Sequence, residues 1–289
     1  MYRNNVDEMN PKFELLYQTT ADALSSSNGD HRDRDRALAK LHRVLSKDTR
    51  RINEIVVDGL NDQTLLDFAV GKSDLGVVNI LLYHGADPNV LCGTEGFKHT
   101  CVFTACISRH ERTTSIVTAL IEHGLDLNAN MPEDISPQGV NNPYSTALHY
   151  VCTDWNVEFV RLFLRNKADV NALDIRGRTP LACVVESNVL NARLPQLQAI
   201  YMINLLVRYG ADIRTVNRLG QTLLHKAAAA PRGEYKMDVV QYLVDSGVPD
   251  LQDSFGTSAA ELAMEKAGSD RYLQRASSMF GIRLQQMFD

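Results

Sequence analysis

The chain is short of the features that usually announce chemistry. It has one tryptophan, and aromatic residues make up 7% of it. Its five cysteines, Cys92, Cys101, Cys106, Cys152 and Cys183, are odd in number, scattered and free of any C-x-x-C pair. That spacing predicts reduced thiols rather than a disulfide framework. No apolar run approaches the roughly 20 residues needed to cross a bilayer. Residues 1–5 are followed by no apolar stretch, so a secretory leader is not expected. No sign of charge prevails: 30 Lys and Arg face 35 Asp and Glu, a net charge of −5. Such a balance makes no general case for nucleic acid or a membrane surface. Glycine-rich phosphate loops of the G-x-x-x-x-G-K-[ST] and G-x-G-x-x-G types are missing as well. Neither a catalytic residue nor a cofactor is predicted.

What is present is repetition. Thr64-Leu65-Leu66-Asp67-Phe68-Ala69 is echoed by Thr146-Ala147-Leu148-His149-Tyr150-Val151, by Thr179-Pro180-Leu181-Ala182-Cys183-Val184 and by Thr222-Leu223-Leu224-His225-Lys226-Ala227. A second phrase answers each: His84-Gly85-Ala86-Asp87-Pro88-Asn89, His123-Gly124-Leu125-Asp126-Leu127-Asn128, Asn166-Lys167-Ala168-Asp169-Val170-Asn171 and Tyr209-Gly210-Ala211-Asp212-Ile213-Arg214. Recurrence at such a period predicts a stacked solenoid, which offers long surfaces rather than one cleft. Within each period the threonine suits a helix N-cap. Apolar residues then follow at helical spacing, and Asp154-Trp155-Asn156 breaks to a second helix. Lys167 stands where sister units have glycine, the residue that most easily takes a left-handed C-cap. Asp174-Ile175-Arg176-Gly177 reads as the tip of a hairpin-like loop.

These phrases resemble the ankyrin repeat over about residues 60–265. The resemblance implies an all-α solenoid of stacked helix-turn-helix units with hairpin-like loops, spanning 34–264. Residues 1–33 are expected to form a partly mobile N-terminal segment with a possible capping helix, and 265–289 a capping or docking helix. It also implies a non-catalytic interaction module that binds a protein or peptide through its concave face and finger tips, in the cytoplasm or nucleus. His149 and His225, in the histidine slot, are implied to be structural struts. Asn89, Asn128 and Asn171 match asparagines that an oxygenase hydroxylates in similar proteins. An alternative is an adaptor that recruits substrate to a larger enzyme such as a ubiquitin ligase. No Leu-x-x-x-Cys docking box follows residue 265, which counts against one version of it.

The departures from the pattern carry the candidate contacts. Residues 129–144 replace a short turn with a Pro/Gly/Asn-rich finger, and 186–199 and 230–235 lengthen two connections between helices. Insertions of this kind map to loops. Arg176, Arg178 and Arg218 fall at or beside loop tips, and Arg is favoured at binding hot spots. They predict a partner with an acidic segment. Tyr150 occupies a variable slot, Tyr144 ends the finger, and Leu91 and Phe97 flank an earlier loop. His99, Cys101, Cys106 and His110 cluster in sequence but lack the ligand spacing of a zinc site, so burial is expected rather than a metal.

Overall fold

A computed structural model describes residues 11–26, 31–55, 62–93, 98–108, 110–130, 146–187, 195–229, 234–266 and 270–281. Among them the chain is helical, and its only β pairing is three isolated antiparallel bridges, Cys92 with His99, Val216 with Thr222 and Gln252 with Ser258. The helices fall into two compact units, residues 1–147 and 148–289.

In the first unit α1 (Pro11–Ser25) and α2 (His31–Leu45) pair with each other. Then come α3 (Leu65–Gly71) with α4 (Leu75–Tyr83), and α5 (Cys101–Ser108) with α6 (Thr113–Glu122). Stacking runs first helix on first helix and second on second, with α1 touching α4 as well. Thus α1 touches α3 and α3 touches α5, while α2 touches α4 and α4 touches α6. Repeat-like pairing therefore reaches back to α1. A bidentate ion pair ties α2 to the start of α4: Arg34 Nη1 and Nη2 donate to the Asp74 carboxylate at 3.0 and 2.7 Å. Asp74 is the N-cap of α4 and accepts the Val77 N–H as well. A methyl group on Gly76 would meet Arg34 Nη2 at 3.1 Å, so this approach favours glycine there.

The second unit holds α7 (Ala147–Thr153), which begins at the boundary, then α8 (Val157–Arg165), α9 (Pro180–Glu186) and α10 (Pro195–Arg208). It continues through α11 (Leu223–Ala228), α12 (Glu234–Asp245), α13 (Ala259–Lys266) and α14 (Asp270–Phe280). The same rule holds: α9 meets α11 and α11 meets α13, while α10 meets α12 and α12 meets α14. The last helix packs on α12 and α13 with Ala276, Ser277 and Met279 buried.

Helices this short, six residues in α11 and seven in α3, α7 and α9, are marginal alone in water. Apolar side chains of these helices and their partners are covered by neighbours: Leu66, Leu81, Ile116 and Leu120 in the first unit, and Leu148, Phe163, Leu181 and Met202 in the second, are essentially inaccessible. Threonine caps open the first helices as the repeat requires. Thr64 Oγ1 accepts from Asp67 N at 3.1 Å and Thr179 Oγ1 from Ala182 N at 3.3 Å. Asn156 caps α8 by accepting from Phe159 N.

The second helices end alike. After α8 the Ala168 N–H reaches the Phe163 carbonyl and Lys167 N–H the Leu164 carbonyl, the two bonds of a Schellman closure. The same pair of bonds closes α4, α6, α10 and α12. In those four helices glycine takes the left-handed residue: Gly85, Gly124, Gly210 and Gly247, with φ between +74° and +92°. Lys167 takes it at φ +65°. A left-handed backbone costs a residue with a Cβ roughly 1–2 kcal/mol, against roughly 0.4–1 kcal/mol of extra unfolded-chain entropy for glycine. Lys167→Gly is therefore expected to stabilise the protein by about 0.5–1 kcal/mol. The readout is the chemical-denaturation midpoint, which rises on this account and falls if the lysine side chain contributes more than the strain.

Candidate interaction surface

Three loops in the second unit share one construction. In residues 174–178 the Asp174 Oδ1 accepts the Arg176 and Arg178 N–H groups, both at 2.8 Å, and the Gly177 N–H closes on the Asp174 carbonyl. Asn217 does the same for Leu219 and Gln221, at 2.9 and 3.0 Å, with Gly220 closing the turn. Asp253 does it for Phe255 and Thr257, at 2.9 and 3.1 Å, with Gly256. Each loop spends its Asp or Asn on its own backbone, and the intervening side chains turn outward. Gly177, Gly220 and Gly256 have φ of +72°, +72° and +77°, where a Cβ is disfavoured.

Further asparagines join one repeat to the next. Asn89 Nδ2 donates to the Gly124 carbonyl at 2.9 Å, and its Oδ1 accepts the Asp126 N–H at 2.7 Å. Asn171 makes the same two contacts with Gly210 and Asp212, both at 2.9 Å. Asn53 accepts the Asp87 N–H at 2.8 Å, an equivalent contact that sequence reasoning missed because no repeat phrase surrounds it. Asn128 N–H is held by Asp126 Oδ1.

The histidine slot is structural. His225 Nδ1 accepts from the Thr222 N–H at 3.1 Å, which leaves Nε2 to donate to the Thr257 carbonyl at 3.1 Å. His149 Nε2 reaches the Arg178 carbonyl at 3.1 Å. In the first repeat the slot holds Asp67, fully buried, which accepts from Gln63 Nε2 at 2.7 Å and Thr104 Oγ1 at 2.6 Å. His99 lies 3.6 Å from it. Burial pushes the Cys92 thiol up to about 11, with the Asp67 charge adding to it, and pushes Cys183 up to about 12. All five cysteines are buried and none is in a disulfide. Cys101 Sγ donates to the Pro88 carbonyl. Among the described residues no three His, Cys, Asp or Glu side chains converge on a common point.

The predicted contact residues separate. Arg176 and Arg218 are exposed at their tips, Leu91 is 42% exposed, and Tyr150 is half-buried. Phe97 and Tyr144 lie outside the described residues, as do 131–145, 188–194 and 230–233 in the three insertions. Arg178 does not project as expected. It is buried, its Nε donating to Asp174 at 2.7 Å and Nη1 to Glu186 at 2.9 Å, and Lys226 Nζ completes the chain at 2.9 Å from Glu186. Desolvation opposes the Arg178 charge. Cys183 stays a neutral thiol, so the hydrogen bonds to Glu186 and Asp174 outweigh that penalty, and the guanidinium is held more firmly protonated than usual. Such a pair, broken on one side, strands a buried charge, so Arg178 belongs to the loop's frame. Sequence reasoning also missed Leu173 and Val216, which occupy the same slot as Leu91 one residue before the turn and are 60% and 51% exposed.

The ankyrin repeat family model matches residues 61–92, 144–175 and 219–254. The B-cell lymphoma 3 protein homolog of Mus musculus is 30% identical over 211 residues, which make up 73% of this chain and 41% of that protein. The human B-cell lymphoma 3 protein is 29% identical over the same coverage. The chain thus spans 41% of the length of these curated relatives. The crystal structure of the ankyrin repeat domain of Bcl-3, titled a unique member of the IkappaB protein family, aligns with a TM-score of 0.64 at 25% identity, covering 89% of this chain and 96% of that one. The human ASB11 ankyrin repeat domain aligns with a TM-score of 0.59 at 19% identity, covering 94% and 98%, a likeness of fold.

Burial lowers the His149 pKa below 6.5, against the raising effects of the Arg178 carbonyl and Asp174. A histidine held neutral in the fold takes up its proton more readily once unfolded, so its contribution is complete above pH 6.5 and is lost as pH falls below it. An NMR titration of the His149 imidazole is expected to show a midpoint under 6.5, with unfolding stability declining over that same acid range. A midpoint above 6.5 contradicts the assignment.

Proposed function

Starting from a chain of ankyrin repeats, we propose a non-catalytic protein-interaction module that grips another protein or peptide through its loop tips and the exposed slots of its first helices. The observation that carries this reading is the identical construction of the three loops. One oxygen of each Asp or Asn holds two backbone N–H groups of its own turn, which fixes the turns on which Arg176 and Arg218 are exposed. Rigid presentation lowers the ordering cost of binding. A specific interface would bury about 1,200–2,000 Å², more than one loop offers, so several repeats act together. The ankyrin repeats matched in three stretches of the chain support a protein partner, and the cytoplasm or nucleus is the location that goes with this reading.

No helix among the described residues is long and apolar enough to cross a membrane. Hydroxylation of Asn89 or Asn171 would require the turn to release the bonds each side-chain amide makes, so on this reading it follows local opening.

The test is a pull-down from the native source with wild type beside a Tyr150→Ala, Arg176→Glu, Arg218→Glu variant. Thermal unfolding of the two proteins separates loss of binding from loss of fold. Specific partners are expected to drop at least tenfold with the variant. Equal recovery of every specific partner rejects this surface.

A further inference from the structure

The same three loops carry an unexpected amount of apolar surface. Leu173 is 60% exposed, Val216 51%, Leu219 45% and Phe255 74%, with Ile175 and Leu251 beside them at 39% and 45%. Isolated exposed apolar residues are ordinary, but a contiguous set marks an interaction site. Contiguity is set by backbone contacts between the tips. Ser254 N–H donates to the Leu219 carbonyl at 2.9 Å, and a methyl on Gly177 would meet Arg218 Cγ at 3.4 Å. Loop lies against loop, which brings the three turns that carry these six exposed residues together in the second unit.

The electrostatics of these turns oppose those of the whole chain. Net charge is −5, yet the tips turn their acids inward. Asp174 is 4% exposed and Asp253 9%, each occupied by its own turn. The outward ionic groups on these turns are the arginines: Arg176 is exposed, and no carboxylate among the described residues pairs with Arg218. The turn that carries Arg218 meets Gly177 on one side and Ser254 on the other.

We infer that the surface formed by tips 172–177, 215–220 and 251–256 docks a linear segment of another protein in which acidic residues alternate with large apolar ones. Apolar side chains of the segment cover Leu173, Val216, Leu219 and Phe255, and its carboxylates meet Arg218 bidentately. Because the Leu219 carbonyl is already taken by Ser254, recognition rests on side chains and not on an added strand. The inference rests on the interaction-module reading and narrows it to one surface and one partner chemistry.

The test pans a random linear peptide library on phage against the full chain, then measures the enriched peptide by fluorescence anisotropy. The expected pool is rich in Asp and Glu interleaved with Leu and Phe. Its affinity is expected to fall at least tenfold with Leu219→Ser/Phe255→Ser and with Arg218→Glu, and to weaken as salt rises. Tyr83→Ser, a 75%-exposed site in the other unit, is expected to leave it unchanged. A pool without acidic preference, no enrichment, or binding indifferent to the tip variants overturns the inference. Peptides lost with Tyr150→Ala but not with the tip variants overturn it while leaving the interaction module in place. Circular dichroism and melting of each variant separate loss of binding from loss of fold.

Discussion

Among the described residues the repeat helices α3 to α9 and α11 are six to ten residues long, too short to stand alone, and the rest of the structure follows from that constraint. Six or seven residues make barely two turns, too few for a helix to offset its own nucleation cost. Each pair must bury its apolar face on the next, so stability is a sum over neighbouring contacts. Polar groups at those contacts cannot be left unpaired. The asparagines at 53, 89 and 171 meet this need at the turns, and His149 and His225 meet it at the loops, each linking a side chain in one repeat to backbone in the next.

This arrangement separates scaffold from surface. The recurring residues are consumed by neighbours: threonines by helix starts, histidines and asparagines by the following repeat, Asp174 and Asp253 by their own turns. Arg178 joins them through Asp174 and Glu186. What the repeat does not specify stays at the surface. In the second unit that is arginine and large apolar side chains on rigid turns, the composition that binding hot spots favour.

The legible part of the fold was the local part. Thr-x-Leu-His-x-Ala encodes a cap and an apolar face within six residues, and the Gly-Ala-Asp phrase encodes a Schellman closure. Lys167 could be placed in the left-handed position because its sisters there are glycine. The less legible part depends on partners far along the chain. Asn53 sits in no recognisable phrase, and its bond to Asp87 appears only when the turns are brought together. Arg178 looked like a tip residue because it follows Arg176 and Gly177, but the turn at Asp174 folds it back toward Glu186. Asp67 in a histidine slot gave no hint that His99 would approach it from the next repeat. The exposed Leu173 and Val216 share the register of Leu91, a signal available in the alignment of phrases that was applied to one repeat alone.

The claim on which everything else stands is that side chains of one repeat hold the backbone of the next. Residue-resolved amide hydrogen exchange on the native chain tests it most directly. Asp126 and Asp212 are exposed loop residues whose N–H groups are bonded to Asn89 and Asn171. The account predicts that these two amides exchange as slowly as those of the helices that follow the turns. Exchange at the rate of an unstructured loop would contradict it.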